Sequence, residues 1–350
     1  MENKNQVFLS YKFHPYRSLL VKRFFKIDRN IWNIERAIEL ADKTKVTLLV
    51  WSTRLKDEGI NLEHENIKIL RLEDGFIRSV GLGVIFTLPI SIVADSKGIY
   101  FDSTQPSDLE GILNQYNFSA EIVERSIKLI DKIKSQKVNK YNLRGERFEL
   151  PKTSKEIVLV VGQVETDKSI KYGSPVIKKN IDLLREVRKR RPDAYIIYKP
   201  HPDVVGGYRK GAYPDSVVME YANMICKRCD NFELIKVVDE VHTINSLMGF
   251  EALLWNKRVV CYGQPFYSSW GLTEDMYPIN RRRRKLTLPE LVAGALILYP
   301  IYRSLISGNV ISPEEAIDEL VRLREKKPLK WKLYGLLQDL IKYPLKLRKL

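Results

Sequence analysis

Cysteine is scarce in this 350-residue chain, with only Cys226, Cys229 and Cys261 present. Three cannot make a disulfide framework, and the close pair in "CKRC" has no second pair of the kind a zinc site needs. The pair is read as incidental, and a reducing cytoplasm is the simplest setting. Long apolar runs are also missing, so no segment is expected to span a bilayer. The opening "MENKNQVFLSYKFHP" lacks the charged-then-apolar layout of a secretory signal. No GxGxxG follows the first strand pattern and no GxxxxGK[ST] occurs, which argues against a dinucleotide oxidoreductase and a P-loop ATPase. No nucleic-acid module is readable, so nucleic acid is excluded as a partner. Acidic residues are in deficit, 43 against 59 Lys and Arg, for a net charge of +16. Such an excess suits an anionic partner: an acidic or phosphorylated substrate, or an anionic membrane face.

What is present reads as globular, at 44% hydrophobic and 29% charged residues. The length exceeds what one compact core usually holds, so more than one domain is expected. Short apolar runs, "VTLLVWS", "IKILRLED" and "SIVAD", alternate with helical patterns such as "WNIERAIELADK" and "PSDLEGILNQY" in the first half. The second half repeats this grammar: "EIVLVVG", "AYIIYKP", "ELIKVVD" and "RVVCYG" read as strands, and "PVIKKNIDLLREVRKRRP" and "SLMGFEALLWNK" as helices. Alternation of this kind predicts parallel sheets covered on both faces. The polar stretch Ser135–Lys155 reads as a linker. The fold expected is therefore α/β, with two doubly wound Rossmann-like domains facing a cleft: 1–145 on the acceptor side, 146–300 for the donor, and 301–350 as C-terminal helices with a basic tail.

In such folds ligands bind beyond the carboxyl ends of the strands, and the unusual residues sit there. "IKILRL" is followed by Glu73, Asp74, Gly75, Arg78 and Ser79. Two adjacent carboxylates oppose each other's ionisation, a cost more often met at a working site than on a plain loop. "EIVLVV" runs into Gly162, Gln163, Glu165 and Asp167, and "AYIIY" into Lys199, Pro200, His201 and Pro202. Lys199 and His201 locked between prolines form a ready anion clamp, although a rigid turn alone would use the same prolines. Asn245 and Ser246 begin a helix pattern, where a cap and a phosphate site use the same free N–H groups. The basic run Arg281–Lys285 is more often a solvated turn than a site.

Together "LRLEDGFIRSVGLG", "VVGQVETDKSI", "YKPHPDV", "VHTINSLMGFEALLWNKRVVCYGQPFYSSWGL" and "RRRRKLTLPELVAGALILYP" resemble the β-Kdo glycosyltransferases of Gram-negative capsule assembly, the KpsC type, over roughly Arg71 to Pro300. A more distant resemblance is to bacterial sialyltransferases of the GT-B fold. Their D/E-D-G, H-P and S-S/T motifs correspond to Glu73-Asp74-Gly75, His201-Pro202 and Asn245-Ser246, with Asn245 departing from the pattern. "QVETD" departs from the usual "QVEDD", Thr166 replacing one acid. The capsule enzymes hold two transferase modules, and this chain has room for one.

The resemblance implies CMP-β-Kdo as donor, a lipid-linked or Kdo-terminated glycan as acceptor, and retention of configuration. Retention by double displacement needs a nucleophile and an acid/base. Asp167 is expected as nucleophile and Glu73 as acid/base, with Asp74 its close alternative and Glu165 orienting. Lys199, His201, Asn245 and Ser246, with Gln163 beside them, would hold the CMP phosphate or ribose. Arg78 and Ser79 would hold the Kdo carboxylate or the acceptor. No cofactor or metal is expected. A catalytically inactive polysaccharide- or lipid-binding module, and a transferase using another CMP-sugar such as sialic acid, are the alternatives. The tail Lys326–Leu350 combines apolar residues at helical spacing with Trp331, Tyr334, Tyr343 and many lysines. It is expected to lie on the anionic cytoplasmic face of the inner membrane, making a cytoplasmic enzyme peripheral to that membrane.

Overall fold

The structure, a computed structural model, describes residues 6–81, 87–142, 145–149 and 152–325. Its strands are β1 (Gln6–Tyr11), β2 (Arg29–Ile31), β3 (Lys45–Trp51), β4 (Ile67–Asp74), β5 (Ser91–Asp95), β6 (Ile157–Val161), β7 (Tyr195–Lys199), β8 (Met224–Ile225), β9 (Glu240–Thr243), β10 (Arg258–Cys261), β11 (Glu274–Asp275) and β12 (Pro300–Tyr302). They form two six-stranded sheets, ordered β12-β5-β4-β3-β1-β2 and β11-β10-β9-β6-β7-β8. The expected architecture of two α/β units facing a cleft is the one the chain adopts.

The central strands are apolar on both faces because helices cover both. All of Ile157–Val161 is buried, as is Val46–Trp51. The helix patterns fall where expected, at Glu35–Ala41, Asp108–Gln115, Asn180–Arg190 and Leu247–Leu254. Ser107 starts the second of these, its side chain accepting the Glu110 N–H at 3.1 Å.

The structure departs from the sequence reading in several places. The second sheet is parallel throughout, but β5 runs antiparallel to β4 and to β12 in the first. A parallel return needs a crossover, usually a helix, and the described residues of segment 75–90 hold none. Glu233–Asp239, read as a strand, lies mostly in the helix Asn231–Val237, and the strand is β9 just beyond it. Asp230 decides this by capping the helix: its Oδ1 accepts from the N–H groups of Phe232 and Glu233 at 2.8 and 3.2 Å. Cys226 and Cys229, read as incidental, are joined as a disulfide. Their Cα atoms lie 5.7 Å apart, within the range a disulfide requires.

The chain also returns to the first unit before its end. The helix Leu288–Val292 packs on the helix Ala120–Gln136, and β12 adds an edge to the first sheet. The segment on both sides of residue 300 is therefore continuous with the first unit. The last described helix, Pro313–Glu325, is tied to Ala120–Gln136 by Arg125–Glu314 at 2.8 Å and Lys132–Asp318 at 2.7 Å. The expected membrane tail lies outside the described residues.

The two units are joined by a shared core and a charged clamp. Phe76, on the loop after β4, meets Phe266, on the loop after β10, at 4.4 Å between ring centroids. Arg281 and Arg282 bond Glu110 of the first unit at 2.5 and 3.0 Å, and Arg282 also donates to the Pro265 carbonyl at 2.6 Å. Buried carboxylate and guanidinium partners of this kind hold loops in register. The basic run thus clamps the units together. Among the described residues no helix is long and apolar enough to cross a membrane.

Candidate functional site

Between the sheets lies a cavity of about 700 Å³, lined by strand ends from both units. It gathers Glu73, Asp74, Arg78, Gln163, Asp167, Lys199, His201, Asn245 and Ser246, which are far apart in sequence. Glu165 and Ser79 are not in its wall.

On the first unit, Glu73 and Asp74 end β4, and the N–H of the next residue, Gly75, still donates to the Ser91 carbonyl at 3.1 Å. A Cβ there would collide with the Ser91 side chain of the neighbouring strand, so only glycine lets the acidic pair stand at the strand end. Asp74 is ion-paired with Arg78, Oδ2 to Nε at 2.7 Å. Arg78 also donates to Ser79 Oγ at 2.9 Å, and that hydroxyl donates to the Gly81 carbonyl at 2.8 Å. Arg78 and Ser79 therefore brace the acidic loop. Among the described residues no cation lies within salt-bridge distance of Glu73, and Lys140 and Arg17 act on it only from further away. Burial, then the charge of Asp74, push its carboxyl pKa up. The pair is divided electrostatically: one carboxylate is neutralised by arginine and the other holds a proton more tightly.

On the second unit, Asp167 caps the short helix Lys168–Gly173. Its Oδ1 accepts from Ser169 N–H at 2.8 Å and from Ser169 Oγ at 2.7 Å. Its Oδ2 makes no hydrogen bond to a described residue. Glu165, two residues earlier, turns to the protein. It accepts from Asn180 N–H at 2.7 Å and Tyr213 Oη at 2.9 Å, which fixes the loop. Gln163 fixes it from the other end, its Oε1 accepting the Asn245 N–H at 2.6 Å. Asn245 in turn donates from Nδ2 to the Ser169 carbonyl at 2.7 Å. Gln163 and Asn245 thus lock the Asp167 loop to the start of the helix Leu247–Leu254.

Ser246 caps that helix, accepting from Met248 N–H at 3.2 Å, and the helix start faces the cavity. Its partial positive charge favours an anion. His201 Nδ1 accepts from Asp203 N–H at 3.1 Å, and burial pushes its pKa down against the pull of Asp203 and Asp167. Lys199 donates to the Cys229 carbonyl at 2.7 Å. Burial lowers its pKa to about 8, opposed by Asp230 and Glu251.

The wall also holds charged residues that the sequence reading did not single out, among them Arg17, Lys140 and Glu251. Lys140 comes from the polar stretch read as a linker. Its backbone carbonyl accepts from Arg78 and Ser79 N–H, both at 3.2 Å, which brings the linker against the acidic loop. Burial works against the Lys140 ammonium, but Tyr141, Tyr100, Asp74 and Glu73 outweigh it and hold its pKa up. Glu251 follows Ser246 on the same helix. Burial raises its pKa to about 7, against the Lys140 backbone, Asn231, and the charges of Lys140 and Lys199. A linker lysine and a glutamate inside an apolar helix pattern have no local mark that separates them from solvated charges.

This site can bind an anion at the Ser246 helix, His201 and Lys199. It can also present the Asp167 carboxyl group, whose Oδ1 alone is bonded to the protein, and the Glu73 carboxyl group to what lies between. Comparisons with known proteins agree in kind. A family described as capsule polysaccharide biosynthesis protein matches residues 52–148 and 120–310. The capsule polysaccharide modification protein LipA of Neisseria meningitidis serogroup A is 46% identical over 285 residues, covering 81% of this chain and 40% of LipA. The chain thus spans well under half the length of that relative. Among solved structures, KpsC of Thermosulfurimonas dismutans, a β-Kdo 2,7 transferase, superposes with a TM-score of 0.80 at 45% identity, covering 91% of this chain and 99% of that one. A second KpsC structure from that organism, a β-Kdo 2,4 transferase, gives 0.74 at 28% identity, covering 89% and 97%. The chain belongs to the capsule polysaccharide biosynthesis family.

Proposed function

We propose that this member of the family transfers Kdo from CMP-β-Kdo to a glycan or glycolipid acceptor during surface polysaccharide synthesis, with retention of configuration. The observation that carries the reading is the match to the β-Kdo 2,7 transferase of KpsC, which spans nearly that whole chain at 45% identity. The cavity supports it with an anion end and a carboxylate on each wall.

In the proposed first step, Asp167 Oδ2 attacks the anomeric carbon of Kdo. The bond to CMP breaks, and its electron pair leaves on the phosphate oxygen. The Ser246 helix start, His201 and Lys199 stabilise that oxygen, and no metal is called on. In the second step, Glu73 takes the proton of an acceptor hydroxyl. The hydroxyl oxygen attacks the same carbon, and Asp167 is released. A carboxylate with a raised pKa is the better base for this step. Asp74, paired with Arg78, stands beside Glu73, and its charge adds to burial in raising the Glu73 pKa.

The test is mass spectrometry after incubation with CMP-Kdo and a Kdo-terminated acceptor. A mass increase of one Kdo on the acceptor, with CMP released, is expected. Transfer of sialic acid instead would change the donor. No transfer from any CMP-sugar would leave a binding module.

A further inference from the structure

Arg17 stands in the cavity wall of the first unit, on the helix Pro15–Lys22, with Tyr16 beside it. Its guanidinium lies 4.0 Å from the ring centroid of Trp51, which ends β3 and is only 9% exposed. Among the described residues the Arg17 side chain makes no salt bridge and no hydrogen bond. Two other cations of this cavity are engaged. Arg78 holds Asp74 and Lys199 holds a carbonyl. Lys140 sits among tyrosines and the acidic pair.

An unspent guanidinium is not explained by packing alone. Burial works against its charge, and Glu73 and Asp74 compensate only from a distance. Trp51 offers the guanidinium its ring face, while the N–H donors have no hydrogen-bond partner among the described residues. A fixed fork of N–H donors matches a carboxylate, which accepts two of them at once.

We infer that Arg17, laid on Trp51, recognises the carboxylate of an acidic sugar at the acceptor terminus. This rests on the transfer reading. Arg17 belongs to the wall that carries Glu73, the group proposed to deprotonate the acceptor hydroxyl. The anion end for CMP and the proposed nucleophile Asp167 belong to the other wall. A carboxylate clamped by Arg17 orients the acceptor so that a hydroxyl of the same sugar meets Glu73. The donor also carries a carboxylate, next to the anomeric carbon, so the two sources must be separated.

The experiment compares wild type, Arg17→Gln and Arg17→Lys with a Kdo-terminated acceptor and with the same acceptor reduced at its carboxyl to the alcohol. Arg17→Gln is expected to raise the KM for the acidic acceptor roughly 10- to 100-fold without moving the donor KM. Arg17→Lys should recover part of that loss. Wild type should discriminate against the reduced acceptor, and Arg17→Gln should not. Equal discrimination by wild type and Arg17→Gln would overturn the inference, and a raised donor KM would give Arg17 to the donor. Binding is measured separately, by calorimetry of the carboxylate-terminated saccharide against CMP-saturated protein. Loss of binding in Arg17→Gln supports the site even if no transfer is seen. Unchanged binding rejects it while leaving the transferase reading intact.

Discussion

At Asp167 the capping bond and the proposed attack on the anomeric carbon use different properties of one side chain. Asparagine caps a helix as well as aspartate does, but its amide is no nucleophile. Asp167→Asn should therefore keep the thermal midpoint within a degree or two and abolish transfer. A wild-type rate in that protein would remove Asp167 from the chemistry. Lys199 predicts a pH effect. Its pKa of about 8 lies below the ordinary 10.5 because burial disfavours the ammonium. The charge that meets CMP is present below pH 8 and lost above it, so CMP affinity should fall as pH rises through about 8. Calorimetry across pH 6.5–9.5 reads this, with Lys199→Met lacking the step. Glu251 acts on stability with its own sign. Its pKa of about 7 stands above the ordinary 4.5. The unfolded chain releases this proton first as pH rises, so stability falls between about 4.5 and 7. Up to about 3 kcal/mol is forfeited at pH 8. Glu251→Gln should raise the urea midpoint at pH 8 and leave it unchanged near pH 4.5. Residues of this kind separate what was legible from what was not. The place of Glu73, Asp167, His201 and Ser246 in the cavity wall was legible because each stands at or just beyond the end of a strand, in a stretch of unusual composition. Arg17, Lys140 and Glu251 were not, because only the tertiary fold brings them to the cavity.

Among the elements, the helix Leu247–Leu254 shows how local preference and packing diverge. Alanine normally stabilises a helix relative to glycine by about 1 kcal/mol. At Gly249, however, an added Cβ would run into the buried Tyr267 phenol and approach Thr243 Cγ2 at 3.1 Å. Tyr267 donates its hydroxyl to the Ser246 carbonyl, at the anion end of the cavity. Gly249→Ala should therefore lower stability by about 1–3 kcal/mol and weaken CMP binding at the same time. A rise in stability would mean that the helix can shift without disturbing Ser246. The strand misplaced at Glu233–Asp239 has a related cause. Phe232, Leu234, Ile235 and Val238 satisfy a short buried strand as readily as a helix. The one deciding feature, the Asp230 cap, lies before the apolar run. The antiparallel β5 was equally hidden, because its direction is set by the connection before it and not by its own residues.

For the whole molecule, two units and a cleft were legible from the alternation of strand and helix. The return of the chain was not, since β12 is three residues long and its partner is more than two hundred residues away. That return decides where the described chain ends. Arg324 donates to the carbonyls of Gln136 and Lys137, both at 2.8 Å. This is the start of the connection that carries Lys140 into the cavity. The residues that follow therefore leave from the unit proposed to receive the acceptor. They include Lys327, Lys330, Lys332, Lys342, Lys346, Arg348 and Lys349 against the single acid Asp339. An anionic bilayer attracts such a run, by about 1 kcal/mol for each basic residue near the surface, and salt weakens the attraction. If the acceptor is a glycolipid, anchoring at this point would keep the enzyme on the membrane that holds it. The 350-residue chain should float with vesicles of anionic lipid at low ionic strength and be released at high salt, whereas a chain ending at Lys327 should stay in the soluble fraction under both conditions. Equal flotation of the two forms would move the membrane contact to the folded units, and no flotation of either would remove the tail from any role in bringing enzyme and acceptor together.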